Sequence, residues 1–174
     1  AGIQGLWHIA DFLDSRFHGN DTFEITLYNS MELKEYAGLA ERETSYFWNV
    51  GRREILHEAL LRYCPKIENN TIIDVGCGTG GNMLLLKGFG EVAGVDFSPE
   101  ALRLAANKGY ARLVPGDAEK LSFENNSFDL ATALDVLEHV PNDVQALAEV
   151  WRVLKPGGIF VLTVPSYQWL WSQH

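Results

Sequence analysis

The residues best suited to chemistry lie in one short segment, residues 72–81, with the sequence IIDVGCGTGG. Its β-branched start is typical of a buried parallel strand, which carries the acidic residue Asp74 near its end. Gly76, Gly78 and Gly80 follow at every second position, where a missing Cβ lets backbone contact a ligand closely. Residues 82–87 can begin a helix whose free N–H groups point back at that ligand. A strand, a glycine turn and a helix predict a site for a nucleotide-type cofactor.

The glycines of this segment also fit the fingerprint of a dinucleotide cofactor. Gly76, Gly78 and Gly81 satisfy the G-x-G-x-x-G spacing of dinucleotide sites. Asp74 favours a different ligand, because a carboxylate beside a pyrophosphate gains little, whereas it suits a ligand that carries an ammonium group. A nicotinamide-dependent oxidoreductase stays open as an alternative.

A second strand that ends in an acid follows the glycine turn. Residues 92–96, VAGVD, are short and apolar and end in Asp96. An acid at this place can accept hydrogen bonds from both hydroxyls of a ribose. Phe97 is expected to lie against an adenine face, and Ser98 has the residue type that begins a helix. The nucleoside part of a cofactor is therefore predicted beside the end of this strand.

The motif D-x-G-x-G-x-G of residues 74–80 resembles the first motif of class I S-adenosylmethionine-dependent methyltransferases. Residues 111–119 (ARLVPGDAE) and 127–140 (SFDLATALDVLEHV) resemble later motifs of the same family, and LKPGG at 154–158 precedes a fifth apolar strand. The resemblance covers about residues 71–165 and implies S-adenosylmethionine as cofactor and S-adenosylhomocysteine as product.

The resemblance also implies a set of cofactor-binding residues. In this family an acid after the third strand accepts from the adenine amino group, and the next backbone N–H binds the ring; here these are Asp117 and Ala118. The full set comprises Asp74, Gly76, Cys77, Gly78, Gly80, Asp96, Phe97, Asp117, Ala118 and Leu134.

Methyl transfer needs a general base only when the acceptor must lose a proton, as a hydroxyl must. His139 is the candidate catalytic base, because its unperturbed pKa suits neutral pH; the alternative is a helix-capping or packing role. Asp135 is predicted to contact the cofactor or the acceptor, and its alternative role is that of a solvated cap. No metal site is expected.

Two further segments supply candidate substrate contacts. Tyr46 or Trp48 is predicted to cover a sulfonium by cation–π attraction. Tyr167 follows the fifth strand, where acceptors bind in this family, and hydrophobic packing is its alternative role. Arg52 or Arg53 is expected to pair with the methionine carboxylate. The alternative for the segment around Trp48 is a surface helix that packs its aromatic side chains on the sheet.

The alternation of strand and helix signals from residue 71 onward predicts an α/β fold. The resemblance specifies it as a Rossmann-like, doubly wound, mainly parallel sheet with helices on both faces and five visible strands. The family's C-terminal hairpin is expected to be missing, which would leave the fifth strand with an open edge. The predicted domains are an arm (1–25), a helical lid (26–70) and a truncated cofactor-binding core (71–174).

Residues 1–25 show no sustained hydrophobic period, and residues 12–21 resemble a peptide encoded by dispersed bacterial repeat elements. They are interpreted as a poorly structured arm or as sequence outside the native coding region, with an extra lid segment as the alternative. Two helical stripes are predicted to be buried, one in the lid and one before the fifth strand. They consist of Ile55, Leu56, Ala59, Leu60 and Tyr63 in the first and Val144, Leu147, Ala148, Trp151 and Leu154 in the second.

Composition limits the partners. The 174 residues carry a formal net charge of −9 and no basic cluster, which argues against a nucleic-acid partner. No apolar run approaches the roughly 20 residues of a membrane span, and two cysteines without metal-type spacing suit a cytoplasmic enzyme. A small-molecule substrate is expected, with a homodimer or aggregation through the fifth strand.

These observations lead to one main hypothesis about function. The chain is predicted to be an S-adenosylmethionine-dependent methyltransferase that acts on a small molecule with a hydroxyl or similar nucleophile. Two alternatives remain: a truncated or degenerate domain that binds cofactor without turnover, and the nicotinamide-dependent oxidoreductase.

Overall fold

The computed structural model describes residues 47–64 and 70–164. Helices and strands alternate along most of this part of the chain. The helices are α1 (Phe47–Tyr63), α2 (Met83–Leu86), α3 (Pro99–Asn107) and α4 (Asp143–Val153), with one 3-10 helix at Leu137–His139. The strands are β1 (Thr71–Val75), β2 (Glu91–Asp96), β3 (Leu113–Pro115), β4 (Phe128–Leu134) and β5 (Leu154–Thr163).

The five described strands form one parallel sheet in the order β3-β2-β1-β4-β5. Ile72 of β1 lies level with Val92 of β2 on one side and with Leu130 of β4 on the other. The strand β1 is therefore the central one of the five, with β2 and β4 on its two sides. Its residues 72–75 are buried, as expected for a central parallel strand. The predicted α/β fold with five strands is confirmed.

Helices cover both faces of the sheet. Successive side chains of a strand point to opposite faces, so neighbouring residues of β1 and β4 belong to different cores. On one face Ile72 and Leu130 share a core with residues of α1, α2 and α3. On the other face Ile73 and Ala131 share a core with Val150 and the rest of the buried side of α4. The sheet is therefore doubly wound, as predicted.

Local sequence explains where α3 begins and ends. The Ser98 hydroxyl accepts a hydrogen bond from Ala101 N at 3.3 Å, and Pro99 occupies the first helical position. Gly109 follows the helix with φ of +84°, a left-handed conformation that glycine adopts without strain. The place of Ser98 at the start of this helix was predicted from sequence.

The predicted stripe of α4 is wrong except at Leu154, which is buried where β5 begins. Val144 is 66% and Trp151 is 63% exposed, whereas Ala146, Val150 and Val153 are buried. The helix carries two apolar stripes, and the one with small side chains packs against the sheet, where β4 presents alanines. Polar contacts to residues 119–125, from the side of α4 that flanks this buried stripe, hold the helix in this rotation.

The stripe of α1 is also narrower than predicted. Leu56 and Leu60 are buried, followed one turn later by Cys64, but Ile55 is 74% exposed and Tyr63 also faces solvent. A helix on a sheet buries the line of residues at i, i+4 and i+8, and side chains on its flanks stay exposed. The spacing of apolar residues in the sequence could not distinguish the buried line from its exposed flanks.

The strand β5 lies at an edge of the described sheet. Leu154 pairs with Phe128, and regular pairing resumes at Ile159 after a register shift. Between α1 and the outer side of β5 lies an apolar groove of about 350 Å³, lined on the strand side by residues 159–162. Among the described helices none has the length and apolar character of a membrane span.

Candidate functional site

The candidate site lies where the chain reverses its direction of progress across the sheet. From β1 the chain moves outward to β2 and β3, and it then returns to β4 and β5 on the other side of β1. In parallel sheets the carboxyl ends of the strands leave a crevice at such a switch point. The glycine turn follows β1 at this place, Asp96 ends β2 and Asp135 follows β4.

The three glycines of the turn have different roles. All have positive φ: +68° at Gly76, +55° at Gly78 and +85° at Gly80. A Cβ on Gly76 would lie 2.4 Å from the Val136 side chain, and one on Gly80 would lie 2.6 Å from the Tyr110 ring. A Cβ on Gly78 would meet nothing within 4 Å. Gly76 and Gly80 are therefore required by packing, and Gly78 alone borders open space.

Cys77 anchors the turn to the next strand. Its backbone N donates to Val95 O at 2.9 Å, and its side chain is buried. Burial raises the pKa of the Cys77 thiol, and the charges of Asp74 and Asp96 raise it further. A buried thiol with a raised pKa is a poor nucleophile, so Cys77 acts as a small turn residue.

Asp74 is a fully buried carboxylate at the end of β1. Its Oδ1 accepts from the Thr132 hydroxyl at 2.7 Å, while its Oδ2 has no partner among the described residues. Burial raises the pKa of Asp74 to about 7; the Thr132 bond and the Arg52 charge lower it, and the Asp96 charge raises it. An unsatisfied buried carboxylate oxygen costs free energy and would accept a hydrogen bond from a cationic donor.

Asp96 joins the glycine turn to the start of α3. Its Oδ2 accepts from Gly78 N and its Oδ1 from Ser98 N, both at 2.8 Å. Burial raises the pKa of Asp96, and these two backbone bonds lower it. Phe97, directly after it, is 61% exposed. The structure thus brings together an oriented carboxylate, an open glycine and an exposed aromatic ring.

Asp117 and Ala118 lie in the segment after β3, beside the end of β2. Gly116 N donates to Asp96 O at 3.0 Å, which joins this segment to the acid at the end of β2. Asp117 is exposed, and its Oδ1 accepts from Glu119 N at 2.9 Å. Ala118 is partly buried and packs against the core on the α4 side of the sheet.

The end of β4 carries a charged pair that sequence reasoning did not foresee. Leu134 is buried, and Asp135 after it has φ of +58°, a left-handed conformation uncommon outside glycine. The Asp135 Oδ1 accepts from the Thr163 hydroxyl at 2.8 Å, and its Oδ2 accepts from Arg52 of α1. The guanidinium expected to meet the methionine carboxylate therefore pairs with Asp135 in this structure.

The 3-10 helix places His139 and Glu138 near the same end of the sheet. His139 as a whole residue is exposed. The part of its imidazole that is buried loses contact with water, which lowers the pKa of the ring. Burial raises the pKa of Glu138, whose Oε2 is buried without a partner among the described residues. The Arg52 charge lowers the pKa of Glu138, so Arg52 lies near the carboxylates of Asp74, Asp135 and Glu138.

Two predicted substrate contacts cannot be located. Tyr167 lies outside the described residues, and for Trp48 the structure describes the helical backbone of α1 alone. Sequence reasoning in turn missed Thr132, Thr163 and Glu138 as members of the site. Thr132 carried a usable signal, because a hydroxyl inside an apolar buried strand needs a partner. Thr163 and Glu138 carried none.

Comparisons with known proteins agree with this geometry. The family model described as "Methyltransferase domain" matches residues 73–162, just over half of the chain. The sterol 4-C-methyltransferase strm-1 of Caenorhabditis elegans is 38% identical over 103 residues, which are 55% of this chain and 31% of that protein. A demethylmenaquinone methyltransferase of Staphylococcus aureus is 44% identical over 97 residues, or 51% of this chain and 40% of that one.

The described fold also recurs in solved structures. A proposed S-adenosyl-L-methionine-dependent methyltransferase of Methanococcus maripaludis superimposes with a TM-score of 0.68 over 82% of this chain and 67% of that one. Its identity of 21% shows the shared fold alone. The chain spans less than half of the length of the two curated relatives. The family match shows that the chain belongs to the methyltransferase domain family, the Rossmann-like class I S-adenosylmethionine-dependent methyltransferases.

Proposed function

We propose that this chain binds S-adenosylmethionine at the carboxyl ends of β1, β2 and β4 and transfers its methyl group to a small-molecule acceptor with a hydroxyl or similar nucleophile. The observation that carries the proposal is Asp74, a buried carboxylate with an oxygen that lacks a donor. The ammonium group of a methionine moiety supplies that donor. A dinucleotide would instead bring a pyrophosphate, whose negative charge this carboxylate would repel.

The nucleoside is proposed to lie beside Gly78 and Asp96. A Cβ at Gly78 would project into open space, so glycine there leaves room for a ligand that approaches the backbone closely. Each oxygen of Asp96 already accepts one backbone hydrogen bond and has a further lone pair. The two ribose hydroxyls would donate to these remaining positions.

The adenine is proposed to stack on Phe97 and to meet Asp117 and Ala118 with its edge. The exposed ring of Phe97 supports stacking. The bond from Gly116 N to Asp96 O keeps the segment with Asp117 close to the proposed ribose contacts. Leu134, buried at the end of β4, would close the apolar side of this site.

When bound, S-adenosylmethionine supplies an electrophilic methyl group, and the protein's main task is to align the acceptor with it. We propose that His139 removes a proton from an acceptor hydroxyl, because it lies in the 3-10 helix that follows β4, at the end of the sheet where the proposed cofactor contacts lie. Asp135, Trp48 and Tyr167 are proposed to contact the acceptor.

The helix α1 is proposed to serve as part of a lid within the segment 26–70. Its Arg52 reaches the end of β4 and pairs there with Asp135. This ion pair is partly buried, so it holds the start of α1 over the site more firmly than an exposed pair would. A lid excludes water from the reacting groups.

The acceptor is proposed to be a small molecule on the strength of the relatives. Two of them are named as a sterol and a demethylmenaquinone methyltransferase. The net charge of −9 makes a nucleic acid an unfavourable partner. Cytoplasmic location stays a prediction.

Calorimetry with S-adenosylhomocysteine, S-adenosylmethionine and the nicotinamide dinucleotides tests the cofactor. We expect the first two to bind and the dinucleotides not to bind. Gly78→Val is the matched variant, because a branched Cβ would fill the space beside the turn. Binding of a dinucleotide alone would overturn the proposal, and cofactor binding without turnover of any acceptor would favour the degenerate alternative.

We also propose that β5, at the edge of the described sheet, pairs with a second copy of the chain. The strand has one described neighbour, β4, and an apolar groove runs along its other side. Unpaired edge strands with apolar faces associate readily. Light scattering at several concentrations should show dimers or larger species, and a monodisperse monomer would contradict this proposal.

A further inference from the structure

Two charged residues of α4 contact the chain segment after β3 rather than solvent. The Arg152 guanidinium donates through Nη2 to Leu121 O at 2.8 Å and through Nη1 to Phe123 O at 2.7 Å. Its Nη1 also lies 2.9 Å from Asn125 Oδ1. Glu149 accepts from Leu121 N at 2.8 Å and forms an ion pair with Arg152 at 2.7 Å.

The first turn of α4 holds the same segment nearer to its start. The Glu119 Oε1 accepts from Asn142 N at 3.1 Å, and Gln145 Nε2 donates to Glu119 O at 3.4 Å. Residues 119–125 are therefore bound by α4 at both ends. Side-chain donors satisfy backbone carbonyls that no strand or helix partner would satisfy.

This bound segment continues directly into Asp117 and Ala118. Asp117 accepts from Glu119 N and forms an isolated bridge with Lys120, so its position follows that of the next three residues. The Asp117 side chain itself is exposed and makes no buried contact that would fix it. Its orientation therefore depends on residues 119–125, and through them on Glu149 and Arg152.

We propose that the Glu149–Arg152 pair positions Asp117 and Ala118 for recognition of the adenine base. The inference rests on the proposed function, in which these two residues meet the adenine edge. Glu149 and Arg152 are positioning residues, since neither contacts the cofactor in this scheme. A guanidinium is needed, because it reaches two carbonyls and a carboxylate at once, which a lysine ammonium cannot do with the same geometry.

The test compares S-adenosylhomocysteine with S-inosylhomocysteine, in which a carbonyl replaces the adenine amino group. Binding constants of the whole chain are measured by calorimetry for the unaltered protein, Arg152→Lys and Glu149→Gln. The matched control is Arg103→Lys, because Arg103 forms the same i, i+3 pair with Glu100 on α3 and its described side-chain contacts are to Glu100 alone. Melting temperatures are recorded in parallel.

We expect the unaltered chain and the control to prefer the adenine ligand by about tenfold, the equivalent of one hydrogen bond. Arg152→Lys and Glu149→Gln should lose most of this preference, which a general loss of stability would not change. An unchanged ratio in both variants would overturn this inference alone. No preference in the unaltered chain would overturn the inference and also the proposed contact of Asp117 with the adenine edge, while leaving cofactor binding itself intact. Failure of the unaltered chain to bind either ligand would overturn the proposed function as well.

Discussion

Replacing Asp74 by asparagine should make the free protein more stable at pH 8 while it weakens cofactor binding. Asparagine keeps an oxygen for the Thr132 hydroxyl but removes the buried charge. The folded protein raises the pKa of Asp74 from its ordinary value of 3.8 to about 7. Between these values the folded state holds a proton that the unfolded chain has lost, so the free energy of unfolding decreases as pH rises.

The size of the effect follows from that shift. Each pH unit inside the window lowers the free energy of unfolding by about 1.4 kcal/mol. Between pH 5 and pH 8 about two units of the window are crossed, so Asp74 alone should cost about 2.5 kcal/mol over that range. Asp74→Asn lacks this dependence, so its stability relative to the unaltered chain should rise by the same amount.

Urea unfolding without cofactor at pH 5, 6, 7 and 8 measures this difference. Asp129→Asn is the control, because hydrogen bonds from Lys155 and Thr71 outweigh partial burial and lower the pKa of Asp129 below its ordinary value of 3.8, so its loss should destabilise the protein by the same amount at every pH from 5 to 8. S-adenosylhomocysteine should then raise the melting temperature of the unaltered chain more than that of Asp74→Asn. A stability difference between Asp74→Asn and the unaltered chain that stays constant across this pH range would refute the reasoning.

Further substitutions test other parts of the structure. Gly78→Ala should cost about 1 kcal/mol for its left-handed backbone and lower cofactor affinity in calorimetry, whereas Gly76→Ala should destabilise the fold more because its Cβ overlaps a valine side chain. Asp135→Asn should lower stability by less than about 1 kcal/mol, since its ion pair is partly solvated, yet speed hydrogen exchange in α1. Urea titration should show that Trp151→Ser changes the free energy of unfolding by less than about 0.5 kcal/mol, because Trp151 is exposed. Val150→Ala should lower it by about 2 kcal/mol, because Val150 is buried. Equal losses of stability in Trp151→Ser and Val150→Ala would instead support the buried stripe of α4 that was predicted from sequence.

The elements around the glycine turn were predictable because their signals are local. A β-branched run, glycines at every second position and a serine–proline helix start each constrain the backbone through their own residues. The parallel order of the strands then follows, since short alternating strands and helices leave few other arrangements. Five strands, helices on both faces and the position of Asp96 at the end of the second strand were all accessible in this way.

The parts that sequence reasoning missed depend on contacts between distant residues. The rotation of α4 was ambiguous from its apolar residues and is resolved by two charged side chains. Glu149 accepts from a backbone N–H, and Arg152 donates to two backbone carbonyls, all about thirty residues away in sequence. The pairing of Arg52 with Asp135 joins residues 83 apart and depends on how α1 lies against β4. The spacing of apolar residues along a helix contains no information on either of these polar contacts.

The two acids of the crevice are hydrogen-bonded to different extents in the free protein, and this matters for how such a site would decay. Asp96 ties the glycine turn to α3 through two backbone hydrogen bonds, so most substitutions there would damage the fold itself. Asp74 is buried with an unsatisfied oxygen, so a lineage released from the need to bind a cationic ligand would gain stability by losing it. Random drift should therefore erase Asp74 early and Asp96 late.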